Sequence, residues 1–250
     1  MDRQIGRGIN AAGVIAHSGL IILWTVLSVI LYGLTALSLS VFSRRAARFI
    51  ARHWCLHLIF IAGVKLRVEG VGNIDKSKNY VFVANHQGYF DIPMLFAGLG
   101  STLSFIAKKE LFRIPFFGWG MWAIGCITMD RQNPRKARES ITRAVSALKK
   151  NNISLVIFPE GTRSASGKVG EFKRASFTLA LEAGVPVVPV AICGTRNIQN
   201  KESFLIFPAT VRLAICAPLA LTGTPNIDKG QLAGKVRETI IKAMEEKIAG

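Results

Sequence analysis

The chain has 250 residues, half of them hydrophobic, and 32 basic against 15 acidic residues leave it a net charge of +17. That length holds one sizeable α/β domain plus an appended segment, and the charge selects anionic partners: nucleic acid, an anionic membrane or phosphorylated small molecules. Cys55, Cys126, Cys193 and Cys216 are widely spaced with no Cys-x-x-Cys pair, which excludes a zinc framework and a disulfide scaffold and fits reduced thiols in a cytosolic compartment.

From Gly8 to Ser43 no Asp, Glu, Lys or Arg occurs, a stretch longer than one membrane crossing requires. It runs directly into basic sequence instead of a small-residue cleavage site, so it is an anchor and not a cleavable signal. Arg44, Arg45, Arg48 and Arg52 follow. Positions 44, 48 and 52 share one helical face beside Phe42, Phe49, Ile50 and Trp54, the composition of an interfacial helix with its arginines at the cytoplasmic headgroups. A buried helical hairpin capping the domain is the alternative; the unbroken apolarity of Leu20 to Leu31 favours membrane, with a helical pair lying largely in one leaflet. Residues 1–63 form this anchoring segment and residues 64–250 the α/β domain.

Lys65 to Glu69 is the first predicted strand, Tyr80 to Ala84 the second, and Ile92 to Leu99 an apolar helix after it. Leu103 to Ala107 is a third strand, followed by an aromatic-rich segment with Phe116, Phe117, Trp119 and Trp122 that fits the lining of an apolar pocket. Ala123 to Met129 is a strand candidate. Asn133-Pro134 then caps an amphipathic helix carrying Ala137, Ile141, Ala144, Val145 and Leu148. Ile153 to Phe158 is a continuous apolar strand, Phe172 to Ala183 a helix stopped at Gly184, and Val185 to Cys193 a strand whose Pro186 and Pro189 suit an edge or a bulge. Thr210 to Cys216 is the last strand and Asp228 to Ala249 the closing helix. This alternation predicts an α/β fold, a largely parallel mixed sheet flanked by helices and preceded by the membrane-associated segment.

His86 and Asp91 fall at the junction between the second strand and its helix. On a continuous helix their side chains would diverge by roughly 140°, but a turn at Gln87-Gly88 brings the carboxylate back onto the imidazole. Asp91 then orients one ring nitrogen and leaves the other as a base for a hydroxyl proton. No Ser or Cys nucleophile is placed nearby, so the hydroxyl to be activated belongs to a substrate. Parallel sheets bind ligands beyond the carboxyl ends of their strands, and Lys108, Lys109, Arg131, Arg163 and Arg196 each follow a strand closely, an electropositive rim suited to a phosphate. Arg163 supplies the guanidinium fork, Gly161 permits close backbone approach, and Glu160 orients the loop.

Asn85-His86-Gln87-Gly88-Tyr89-Phe90-Asp91 and Phe158-Pro159-Glu160-Gly161-Thr162-Arg163-Ser164 resemble two signature blocks of the glycerolipid acyltransferases, the 1-acylglycerol-3-phosphate acyltransferases above all. Ala107-Lys108-Lys109-Glu110-Leu111 with Pro115 and Gly118, and Val185 to Ile192 with Pro189, are similar to two further blocks; Ala175 departs from the glycine expected after Phe172-Lys173-Arg174. The resemblance implies transfer of an acyl group from a thioester on coenzyme A or acyl carrier protein to the 2-hydroxyl of lysophosphatidic acid, giving phosphatidic acid. His86 is then the base and Asp91 its orienter, while Lys108, Arg163, Glu160, Gly161, Thr162, Arg131 and Arg196 serve acceptor binding; no metal, cofactor or covalent acyl-enzyme is required. The same chemistry on glycerol 3-phosphate or another lysophospholipid stands beside this reading, as does a non-catalytic basic membrane adaptor. A nucleic-acid partner is not expected, because no recognised binding module accompanies the basic residues.

Overall fold

The computed structural model describes residues 11–100, 102–130, 132–150, 153–200, 203–221 and 228–246. Two helices come first, α1 (Ala11–Ser40) and α2 (Arg44–Ile61), joined by a short turn in which the Ser43 side chain accepts from the Ala46 N–H and caps α2. Small or inward-facing positions of α1, among them Ser18, Ile21, Ser28, Gly33 and Ala36, are buried, whereas Leu20, Leu23, Val26, Leu27 and Leu31 are exposed. A helix this long and apolar is able to cross a membrane. Its outward apolar stripe has no counterpart among the described residues, and the segment is membrane-associated.

Two of the four α2 arginines, Arg48 and Arg52, turn inward instead of meeting headgroups as expected, while Arg44 and Arg45 are exposed. Arg48 is 8% exposed and donates to the carbonyl of Ile124, while Arg52 donates to the carbonyls of Phe96 and Ala97. Arg44 lies over the Trp122 ring. Carbonyls in the last turn of a helix lack intrahelical donors, and a guanidinium satisfies them while opposing the negative end of the helix dipole. The periodicity of these arginines was legible; what they face was not.

Among the described residues seven strands follow: β1 (Lys65–Glu69), β2 (Val81–Ala84), β3 (Leu103–Lys108), β4 (Ile127–Met129), β5 (Ser154–Ile157), β6 (Val187–Cys193) and β7 (Thr210–Ile215). They form one sheet in the order β1-β7-β6-β2-β5-β3-β4, parallel throughout except between β6 and β7. The helices are α3 (Asp91–Leu99), α4 (Phe117–Ala123), α5 (Pro134–Lys150), α6 (Thr178–Ala183), α7 (Thr195–Ile198) and α8 (Lys229–Glu245). Because strand side chains alternate, Phe82, Ala84 and Val156 join one apolar cluster with Cys55, Ile59, Met94 and Leu95 of α2 and α3. Val81, Val83 and Leu155 join the other, with Leu148, Leu179 and Val236 of α5, α6 and α8. Both faces are covered, which is why the central strands are apolar throughout.

Three predicted elements differ in detail. Only Ile127–Met129 of the 123–129 stretch is strand, because Phe117–Ala123 forms α4 and packs on α1. Gly118 and Gly120 weaken that helix intrinsically, but the close approach they permit outweighs propensity; a Cβ on Gly118 would lie 2.3 Å from the Phe112 carbonyl oxygen. The 172–183 helix is divided into a 3-10 turn over Arg174–Phe177 and α6. Most informative is Pro189, which sits in a central strand and not at an edge. Its carbonyl accepts from the Cys216 N–H, just past the end of β7. In an extended strand a residue's N–H and C=O point the same way, so the missing donor faces the interval between the Val190–Ile215 and Val187–Leu219 pairs, where two residues oppose three; this is the bulge that the sequence offered beside an edge, and the β2 side keeps its pairing. The closing helix is capped by Asp228, which accepts from Gly230 N; the predicted positions beyond 246 lie outside the described residues.

Candidate active site

β2 ends at Ala84, and the chain turns at Gln87-Gly88 before α3 begins with Asp91. Asn85 locks the start of this turn to the neighbouring strand: its amide donates to the Ile192 carbonyl and accepts from the Ile192 N–H. Asp91 is fully buried, and its Oδ2 accepts from the backbone N–H groups of Gln87 (2.7 Å) and Gly88 (2.9 Å) and lies 2.6 Å from His86 Nδ1. Its Oδ1 accepts from the Thr195 hydroxyl at the start of α7. An oxygen already accepting two N–H donors is an acceptor toward the ring as well, so Nδ1 carries the hydrogen and Nε2 keeps its lone pair. The imidazole is stacked on Phe158, with ring centroids 4.2 Å apart, and its side chain is 21% exposed.

The exit of β5 closes over this pair. Gly161 N donates to the Phe158 carbonyl in a tight turn, and Gly161 takes a φ of 73°, a conformation that favours glycine. Glu160 is buried, with Oε1 accepting from His86 N (2.8 Å) and Oε2 from Gly170 N (3.0 Å). Both its oxygens are thus engaged by backbone, holding the β2 exit and the 164–170 loop in one frame. Ser164 N donates to the His86 carbonyl, and Gln87 Nε2 to the Gly167 carbonyl.

The sheet order decides which cations are near. β5 and β6 flank β2, so Arg163 and Arg196 leave adjacent strands, while Lys108 leaves β3, two strand positions away. Arg163 stacks its guanidinium 3.7 Å from the Tyr89 ring centroid and donates to the Tyr89 hydroxyl. Arg196 is exposed and donates to the Ser166 carbonyl; Lys108 is exposed, 3.8 Å from Glu110; Thr162 is exposed on the loop. Arg131 lies outside the described residues. Sequence reasoning missed Thr195, Tyr89 and Phe158. Tyr89 and Phe158 lay inside the quoted blocks, but nothing local marks Thr195 as a partner for Asp91, which is 104 positions earlier.

An apolar cavity adjoins the site. About 730 Å³ of unfilled space, part of it open to solvent, lies among Gly33, Trp54, Phe105, Phe117 and Met121, and reaches Ile92, the residue after Asp91. Phe116 and Phe117 of the aromatic segment line it as expected, whereas Trp119 and Trp122 are exposed and do not. Cys126 also lines it, and burial pushes that thiol up to about 11, so it stays neutral there. All four cysteines are free thiols.

A family model described as Acyltransferase matches residues 65–193. A chloroplastic 1-acyl-sn-glycerol-3-phosphate acyltransferase of Arabidopsis thaliana is 37% identical over 180 residues, 71% of this chain and 50% of that protein. The 1-acyl-sn-glycerol-3-phosphate acyltransferase of Pseudomonas aeruginosa is 32% identical over 69% of this chain and 67% of its own. The chain thus spans about half the length of some of the curated relatives it matches and two thirds of others. The crystal structure of the 1-acyl-sn-glycerophosphate acyltransferase PlsC from Thermotoga maritima is similar with a TM-score of 0.81 at 30% identity, covering 94% of this chain and 96% of that one. Since the matched stretch runs from the first residue of β1 to the last of β6, and so contains His86, Asp91, Glu160 and Arg163, the chain belongs to the acyltransferase family.

Proposed function

We propose that this protein is a 1-acylglycerol-3-phosphate acyltransferase, moving a fatty acyl group from a thioester to the 2-hydroxyl of lysophosphatidic acid. One observation carries the reading: an imidazole oriented through Nδ1 by a buried carboxylate, with Nε2 available at a rim flanked by Arg163. Among the described residues no Ser or Cys side chain is hydrogen-bonded to His86, which supports direct transfer to a substrate hydroxyl. Nε2 takes the hydroxyl proton as the oxygen attacks the thioester carbonyl; the C–S bond then breaks and the imidazolium returns the proton to the leaving thiolate. Asp91 stabilises the imidazolium between those events. Arg163, with Lys108, holds the acceptor phosphate, and the apolar cavity takes acyl chain. The names of the relatives support the same acceptor.

The anchor fits an interfacial enzyme. Ser18 of α1 bonds to both backbone groups of Ile206, and Gly33 packs on Phe116, so about 22 Å of α1 is laid along the domain. A helix held flat in this way supports a monotopic arrangement in one leaflet, and exposed Arg44 and Arg45 at the helical turn support a cytoplasmic face. The test is purified protein in detergent or vesicles with a panel of acyl thioesters and acceptors, following thiol release. Release dependent on lysophosphatidic acid is expected; release that is equal with glycerol 3-phosphate or with a phosphate-free acceptor would reassign the acceptor, and none with any pair would leave a membrane adaptor.

A further inference from the structure

We propose that a basic cleft at the β4 edge of the sheet binds the phosphate at the far end of the donor's pantetheine arm, an extension that rests on the acyl-transfer reading above. The cleft encloses about 750 Å³, part of it open to solvent, between the 3-10 turn over Lys109–Arg113 and the first turns of α5. Lys109, Arg113, Lys136 and Arg143 line it together with the hydroxyls of Thr128 and Ser140. Two carboxylates are present, and each has a cation of its own: Asp130 lies 2.7 Å from Lys109, and Glu139 is paired with Arg135. The Lys109 ammonium holds the Asp130 carboxyl below the usual carboxylate range. Arg143 donates to Ser140 and Thr128 hydroxyls, and neither it nor Arg113 nor Lys136 has a carboxylate within salt-bridge distance among the described residues. The Ser140 hydroxyl is buried and donates to the Lys136 carbonyl, which leaves three uncompensated cations and the Thr128 hydroxyl as the donor set for a phosphate ester.

Position links the cleft to the reaction. β4 lies three strand positions from β2, about 14 Å at ordinary strand spacing, and the arm of a pantetheine thioester spans that interval with its carbonyl at His86. α5 packs on the sheet face opposite α2 and α3. The acyl cavity adjoins the membrane-associated helices and the cleft lies on the other side, so a donor bridging them keeps its tail in apolar surroundings and its charged end in water. Both coenzyme A and acyl carrier protein present a phosphate at this point of the arm.

The test is the double variant Arg113→Gln/Lys136→Gln, whose two side chains are exposed and whose folding is checked by thermal melt. At saturating lysophosphatidic acid, acyl-CoA, acyl carrier protein loaded with the same chain, and phosphate-free S-acyl pantetheine serve as donors. KM is expected to rise about tenfold for at least one phosphorylated donor, with kcat and acceptor KM nearly unchanged and S-acyl pantetheine unaffected. Whichever donor responds identifies the source of the phosphate. Unchanged KM for both phosphorylated donors, or an equal rise with S-acyl pantetheine, overturns the site while leaving the reaction intact. If wild-type protein transfers no acyl group at all, the reaction itself is wrong; calorimetric binding of coenzyme A then decides the cleft, tenfold weakening in the variant supporting it and equal or absent binding by both proteins refuting it.

Discussion

Asp91→Asn isolates charge from geometry at the centre of the site. Four donors converge on this carboxylate: His86 Nδ1, Gln87 N, Gly88 N and the Thr195 hydroxyl. An asparagine carbonyl can occupy the Oδ2 position and accept the first three, while its amide faces Thr195, whose hydroxyl rotates to accept. The turn therefore survives with its hydrogen bonds reassigned, and thermal stability should shift little. What disappears is a unit negative charge beside a ring that becomes cationic in the transition state. Taking charge centres about 4 Å apart at an effective dielectric of about 20, that attraction is about 4 kcal/mol, or roughly a thousandfold in rate. Steady-state thiol release with acyl thioester and lysophosphatidic acid should accordingly show kcat down about 1,000-fold with acceptor KM little altered. A folded Asp91→Asn protein turning over within tenfold of wild type would refute the role of Asp91 in stabilising the imidazolium.

Arg163→Lys keeps the charge but loses the fork and the stacking on Tyr89, so acceptor KM should rise about tenfold with donor KM unchanged; equal effects on both would remove Arg163 from the acceptor site. Gly33→Ala places a Cβ 2.6 Å from the Phe116 carbonyl oxygen and should lower stability by about 1–3 kcal/mol in thermal or denaturant unfolding, whereas Gly19→Ala, with nothing within 4 Å, should raise it by up to about 1 kcal/mol because alanine is the better helix former. Equal melting of the two variants would mean that α1 does not press on the 116 turn. In sealed vesicles with the cytoplasmic face outward, a tag at Met1 should be digested by added protease; its protection alongside cleavage of a tag at Gly250 would establish a spanning α1.

Legibility followed the range of the interactions. The His86–Asp91 pair was readable because it closes across a turn of five residues whose glycine and flanking elements are all local. Strand order was not readable, yet it determines that Arg163 and Arg196 flank β2 while Lys108 stands two strands off. Thr195 was invisible for the same reason. Two outcomes that local rules could not decide, the bulge instead of an edge at Pro189 and the inward turn of Arg48 and Arg52, share a cause. Each rule describes what a side chain or a missing donor needs, and each need was met by tertiary structure: the end of β7 in one case, the carbonyls of Phe96, Ala97 and Ile124 in the other.

Those inward arginines bear on how the reaction meets the membrane. The 2-hydroxyl of a lysophospholipid sits at a depth fixed by its headgroup, so a base that serves it must be held at a matching depth. A catalytic domain tethered by a flexible linker would sample many depths and orientations. Here the coupling is rigid: Arg52 on the anchor clamps the last carbonyls of α3, and the first residue of the same helix is Asp91. The clamped carbonyls stand five and six residues after the carboxylate, about 8–9 Å along the helix, a distance set by helical rise and not by side-chain conformation. Arg48 binds the end of α4 in the same way, and α4 lines the acyl cavity. The α1–α2 pair thus fixes both the helix that carries Asp91 and the helix that lines the apolar cavity, through guanidinium–carbonyl hydrogen bonds turned toward the domain.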